Sequence, residues 1–79
     1  MIDVRRLALL RELSIRGTVV ATAEAMHLSG PAVSQQLAVL EREVGVALLE
    51  KHGRTLAFTP AGRLLVAHAD VVLGDLAAA

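Results

Sequence analysis

The feature that most constrains this 79-residue chain is the placement of its helix-starting and helix-stopping residues. Gly17 is followed at once by Thr18, Ser29 by Gly30-Pro31, and Gly45 and Thr59-Pro60 punctuate the second half. Between these points, apolar residues recur at helical intervals. The first segment, about Asp3 to Arg16, carries Val4, Leu7, Leu10 and Leu13 at steps of three, as one helix face would. Gly17 stops it, because glycine alone adopts the left-handed conformation without steric cost. Thr18 caps a short second helix that runs to about Met26. His27, Leu28 and Ser29 form a tight turn, Ser29 caps a third helix, and Pro31 sits in its first turn, where a missing N–H costs nothing. Val33, Leu37, Leu40 and Val44 then recur at four, three and four, making one apolar stripe that faces a core until Gly45 ends the helix.

Beyond Gly45 the pattern changes. Val46 to Lys51 and Leu56 to Phe58 are β-prone, and His52, Gly53 and Arg54 between them read as a turn, so a hairpin is expected. Thr59 and Pro60 supply a second cap and first-turn proline. The last helix should run from Pro60 to near Ala78, with Gly74 a weak point. No internal repeat or low-complexity linker interrupts this order. The expected fold is mainly α: a winged helix-turn-helix over residues 1–59, with a two-stranded wing, and a long carboxy-terminal linker helix over residues 60–79.

Composition narrows the functional classes. Hydrophobic residues make up 54% of the chain, so a packed core is expected, but Phe58 is its one aromatic residue. The core must be built from Leu, Val, Ile, Ala and Met. No cysteine is present, which removes disulfides, thiolate zinc sites and cysteine nucleophiles. No apolar run approaches the roughly 18 residues of a membrane span, and the charged start lacks a signal-peptide core. A cytoplasmic protein without membrane contact is expected. His27, His52 and His68 are scattered and form no metal-ligand spacing. Instead, His27 is a turn residue that packs or caps, His52 is a candidate for phosphate contact, and His68 is a helix surface or dimer-contact group. Ser14, Ser29 and Ser34 lack an adjacent base and orienting acid. Glu41 and Glu43, two apart on a helix, point to different faces and make no carboxylate pair. Neither an enzyme nor a cofactor or metal site is expected.

Formal net charge is zero, which argues against wrapping nucleic acid through bulk charge. It leaves room for a local patch, since the part before the last segment, which holds Asp70 and Asp75, is mildly basic. The third helix supplies a suitable surface. At about 100° per residue, Pro31, Ser34, Gln35, Ala38 and Arg42 lie opposite the apolar stripe. Small and polar groups suit a helix that enters the major groove, where Gln pairs with adenine and Ser serves phosphate or base. Lys51, His52, Gly53 and Arg54 give the hairpin a cationic tip, suited to phosphates or a narrow minor groove. On the last helix Leu65, Ala69, Val72 and Leu76 repeat at four, three and four, with Leu64, Val71 and Leu73 off that line. Arg63, Asp70 and Asp75 mark the wetter side. A helix apolar over more than one face packs one on the body and leaves another for a partner, here a second copy.

Ala23, Met26, His27, Leu28, Ser29, Gln36, Leu37, Leu40, Glu41, Gly45, Val46, Leu48, Gly53 and Arg54 all contribute to a resemblance. Its most specific parts are the runs Ser29-Gly30-Pro31-Ala32-Val33-Ser34 and Leu56-Ala57-Phe58-Thr59-Pro60-Ala61-Gly62. Together they look like the amino-terminal domain of LysR-type transcriptional regulators, over essentially the whole chain and without insertion. The resemblance implies major-groove contact by Gly30, Pro31, Ala32, Ser34 and Gln35, and minor-groove or backbone contact by Arg54. It also implies double-stranded promoter DNA as partner and a homodimer through the linker helix. A tetramer is implied only for a full-length form, whose inducer-binding domain is absent from these 79 residues. Family members often carry Gln at Gly30, Arg at Gln35, basic residues at Ala38 and Val39, and a Phe and a polar pair at Val19, Val20 and Ala21. Each difference removes a donor or a charge, so the domain alone is expected to bind weakly and to rely on avidity. Two alternatives stay open: a dimerising interaction module with little DNA affinity, and a winged-helix regulator of another type, such as the molybdate-responsive one. The Thr59–Gly62 lead into a long apolar helix favours the LysR type over the latter.

Overall fold

A computed structural model describes residues 2–78, with side chains placed for residues 2–74. The order of elements is α1 (Val4–Arg16), α2 (Val19–Met26), α3 (Gly30–Val44), β1 (Leu49–His52), β2 (Thr55–Phe58) and α4 (Pro60–Ala78). Each helix boundary has a local cause. Asp3 caps α1, its Oδ1 accepting from the Arg5 amide at 2.8 Å. Hydrogen bonds from the Arg5 side chain and amide hold the Asp3 carboxyl below its ordinary pKa. Thr18 Oγ1 accepts from Ala21 N at 3.1 Å, and Ser29 Oγ from Ala32 N at 3.2 Å. Gly17 closes α1 at φ 87°. His27 closes α2 in the left-handed region at φ 57°, the one non-glycine there among the described residues. The turn into α3 is tightened by Leu28 N donating to Ala23 O at 2.9 Å.

The core joins Leu9, Leu10 and Leu13 of α1, Ala23 of α2, Val33, Leu37 and Leu40 of α3, and Leu48. Leu10, Val33 and Leu40 have no exposed surface. Val19, Met26, Val44, Leu49, Phe58, Ala61, Leu65 and Val66 pack around them. The α3 stripe is as the spacing predicts, but the α1 stripe is not. Val4 is 46% exposed and Leu9 is buried. Steps of three fall short of the 3.6-residue turn, so a line drawn from Leu13 back to Val4 sweeps about half a turn around the helix. Leu7, Leu10 and Leu13 of that line are buried, and Leu9 joins them on the core face while Val4 leaves it.

The hairpin pairs Leu49 with Phe58, Glu50 with Ala57, Lys51 with Leu56 and His52 with Thr55, antiparallel around Gly53-Arg54. The first strand begins at Leu49 rather than at Val46. Here the backbone bonds to side chains: Leu48 N donates to Glu41, and Ala47 O accepts from Thr59 Oγ1 at 2.7 Å. Thr59 Oγ1 also accepts from Gly62 N at 3.0 Å, so one hydroxyl ties the start of α4 to the root of the hairpin. Thr59 N closes the junction on Leu48 O at 3.0 Å. The approach is so close that a Cβ on Gly62 would overlap the Leu48 carbonyl and come to 3.2 Å from the Phe58 ring.

Helix α4 then runs along α1, and this packing bears on the residues of the expected dimer seam. Ala69 has no exposed surface within its own chain, and Leu65 packs against the core. Val72 is 40% exposed, and the side chain of Leu76 lies outside the described residues. The outward apolar groups are Leu64 and Val71, each 63% exposed and seven apart.

Gly62→Ala is expected to destabilise the fold by about 2–3 kcal/mol, since the clash is with the Leu48 backbone and cannot relax by rotamer change. A urea unfolding midpoint unchanged from the parent would refute the close approach.

Candidate nucleic-acid interface

Helix α3 buries one stripe and is gripped on both flanks by polar contacts. On the α1 flank, Arg6 Nε donates to Gln36 Oε1 at 2.8 Å, and Arg6 Nη1 to Glu43 Oε2 at 3.0 Å. Gln36 and Glu43 stand seven residues apart, so one guanidinium spans two helical turns. Asp3 Oδ2 adds a third contact to Arg6 at 3.6 Å. Glu43 Oε1 is buried with no hydrogen-bond partner among the described residues, so Arg6 is the side chain there that pairs with this carboxylate. On the opposite flank, Glu41 Oε2 accepts from Leu48 N at 2.7 Å and from Leu49 N at 3.2 Å. Glu41 and Glu43 thus face different sides of the helix.

Between the flanks, the outer face presents Pro31, Ser34, Gln35 and Arg42 to solvent, with Ala38 half-buried. Gly30 and Ala32 are also half-buried. Ala32 lies towards α1, lining a hollow of about 580 Å³ with Arg6, Leu28 and Gln36. Ser34 and Ala38 border a cleft of about 690 Å³ between α3 and the hairpin, whose other wall holds Lys51, Gly53 and Arg54. Of the sequence-predicted contacts, Ser34 and Arg54 are therefore brought to one cleft, with Gln35 on the adjoining outer face. Gly30 and Ala32 are set further back.

Charge is concentrated on the same side. Arg5 pairs with Asp3, Arg6 with Asp3 and Glu43, and Arg16 with Glu12. Arg63 donates to Phe58 O at 3.1 Å. Among the described residues, the exposed cations engaged in neither kind of contact are Arg42, Lys51 and Arg54, all on α3 or the hairpin. His52 Nε2 lies 3.2 Å from Glu50 Oε1, which ties it to the hairpin's own surface. A chain with no net charge therefore offers a cationic edge beside a neutral helix face.

Sequence reasoning found the outer face and the hairpin tip but missed Arg6, Gln36 and Glu43 as a unit, and missed the role of Glu41. Periodicity marks a helix flank as polar. It carries no signal of which neighbour that flank meets.

Residues 4–63 match the family described as bacterial regulatory helix-turn-helix protein, lysR family. The chain belongs to this LysR family. It is 37% identical over 62 residues to the RuBisCO operon transcriptional regulator of Allochromatium vinosum, covering 78% of this chain and 20% of that protein. It is 46% identical over 54 residues to the DNA-binding transcriptional dual regulator OxyR of Escherichia coli K12, covering 68% of this chain and 18% of that protein. The chain thus spans about a fifth of the length of these LysR relatives. Its fold matches the DNA-binding domain of CbnR in a crystal structure with DNA, with TM-score 0.87 and 31% identity over 98% of this chain and 87% of that one. A crystal structure of the BenM DNA-binding domain on its catB site matches with TM-score 0.85 and 25% identity, over 95% of this chain and 83% of that one. Among the described residues, no helix is long and apolar enough to cross a membrane.

Removing Arg6 strands the Glu43 carboxylate. Arg6→Ala should lower the unfolding free energy by about 1–3 kcal/mol, and adding Glu43→Ala should restore part of it. Simple additivity of the two losses in urea unfolding would show that the pair is not coupled.

Proposed function

We propose that this chain binds double-stranded DNA as the DNA-reading part of a LysR-type transcription regulator, with promoter sites as its targets. The observation that carries this reading is the shared orientation of a small, polar α3 face and the unpaired cations Lys51 and Arg54 across one cleft. Residues 1–59 form the reading body. Helix α3 enters the major groove, where Gln35 makes the base contact and Ser34 a phosphate or base contact. Gly30, Pro31 and Ala32 keep the amino-terminal turn of α3 slim enough for close approach. Arg54, at the hairpin tip, reaches the minor groove or the backbone. The role is binding without catalysis, in the cytoplasm.

Residues 60–79 serve as the dimerisation helix, but through a rotated face. Leu64, Val71 and Val72 are the exposed apolar groups there, and a second copy of α4 is the natural cover for them. Two reading helices held by such a dimer meet successive major grooves on one face of the duplex. Tetramers belong to a longer form of the protein.

Fluorescence anisotropy of a labelled random-sequence duplex, titrated at low and near-physiological salt, tests the reading. Binding that weakens steeply with salt is expected. No binding at low salt by a folded dimer would instead favour an interaction module. Arg54→Ala should reduce the salt slope by up to about one unit, while Gln35→Ala should relax sequence preference by about 1–3 kcal/mol at one base pair. An unchanged slope or an unchanged preference would remove the corresponding residue from the interface. Leu64→Asp with Val71→Asp should give a monomer by light scattering at concentrations where the parent is dimeric. A dimer that survives both changes must use another surface.

A further inference from the structure

The cleft between α3 and the hairpin contains a carboxylate where DNA binding would be served by a cation. Glu41 lines it together with Ser34, Lys51 and Arg54. If phosphates pass near this cleft, a negative charge there repels them. Its presence needs a compensating task, and its hydrogen bonds supply one. Glu41 Oε2 takes the amides of Leu48 and Leu49 at 2.7 and 3.2 Å. These amides open β1. Among the described residues, Glu41 is the one α3 side chain that hydrogen-bonds the hairpin.

The hairpin needs such an anchor. It is a two-stranded ribbon, which has little stability on its own. Its root is fixed from two directions. Thr59 holds the Ala47 and Leu48 carbonyls, which ties the root to α4. Glu41 holds the Leu48 and Leu49 amides, which ties the same root to α3. Thr59 sets where the hairpin leaves the body. Glu41 sets its distance and angle to the helix that carries Gln35.

We infer that Glu41 is a positioning residue for DNA recognition: it locks the wing to the recognition helix, so that Arg54 and the α3 face engage one duplex together. The inference rests on the DNA-binding reading above. It predicts coupling between a residue buried at the root of the wing and one exposed at its tip. Glu41→Asp keeps the charge but shortens the reach by one methylene, which breaks the contact to the two amides. Glu41→Gln keeps an acceptor oxygen at the same reach and removes the charge.

The test uses the 79-residue chain and a labelled duplex selected from a random-sequence library by the parent protein, with affinity read by anisotropy. Arg54→Ala should cost about tenfold in the parent. It should cost less than about twofold in Glu41→Asp, because the wing is then already misplaced, and about tenfold again in Glu41→Gln. Glu41→Asp alone should bind about tenfold more weakly than the parent. Amide hydrogen exchange should quicken about tenfold at Leu48 and Leu49 in Glu41→Asp and stay unchanged at Val33, Leu37 and Leu40. A general loss of stability would speed all five. If Arg54→Ala costs the same in the parent and in Glu41→Asp, or if Glu41→Asp binds like the parent while Glu41→Gln binds more tightly, Glu41 is only a charge near DNA and the positioning role is overturned. If no duplex is selected, or if Arg54→Ala is silent in the parent, the DNA-binding or wing reading itself fails, and the inference falls with it.

Discussion

Everything in this domain depends on how α3 is held. A helix can present to a ligand only the face it does not need for packing, and α3 packs with little to spare. Val33, Leu37 and Leu40 are buried against the leucines of α1, and a core without large aromatic residues at its centre gains about 1.5–3 kcal/mol from each such aliphatic side chain. Apolar packing of this kind is nearly cylindrical in its demands. It fixes which stripe goes inside but resists small changes of roll only weakly. The polar contacts on the two flanks are directional and supply that resistance. Arg6 grips one side across two turns, and Glu41 grips the other through the backbone of the hairpin root. A base contact depends on hydrogen-bond geometry at the scale of a few tenths of an ångström, so this division of labour is what a reading helix requires.

The same contacts explain how a chain without net charge can address a polyanion. Three of its arginines are spent on internal ion pairs with Asp3, Glu12 and Glu43. Among the described residues, the exposed cations left without an ion pair or a hydrogen bond lie on α3 and the hairpin. The cost is that few cations are available for phosphate contacts, and each contact contributes through counterion release. Under the proposed function, a single copy would therefore bind weakly. The outward stripe of Leu64 and Val71 on α4 fits with this economy, since two weak readers joined rigidly gain from effective concentration without any additional charge.

Much of the architecture was legible in the sequence because it is written locally. Gly17, Thr18, Ser29, Pro31 and Gly45 act within one helical turn of their own position, and the end of α1, the start of α2 and both ends of α3 follow from them. The α3 stripe was legible because its spacing of four, three and four tracks the helical period. Where the spacing was only approximate, the inference failed: steps of three put Val4 on a face it does not share with Leu13. The start of β1 was illegible for a different reason. Val46 has the propensity of a strand residue, but Glu41 and Thr59 claim the backbone of the hairpin root, and neither partner is a neighbour in sequence. The burial of Ala69 within its own chain was illegible too, because a residue that small suits either a close partner helix or an intramolecular contact.

Small residues sharpen that last point. Ala69 and Gly62 are two small, buried residues of α4, and Gly62 lies directly against the carbonyl of Leu48. Together they fix both the origin and the roll of the helix before any partner is present. In the proposed α4 dimer, these intramolecular contacts would act on the spacing of the two reading helices together with the residues at the seam. Tight junctions of this kind carry orientation from one end of the molecule to the other. The hairpin root is where they converge, since Thr59 arranges α4, Glu41 arranges α3, and both act on the three residues from Ala47 to Leu49.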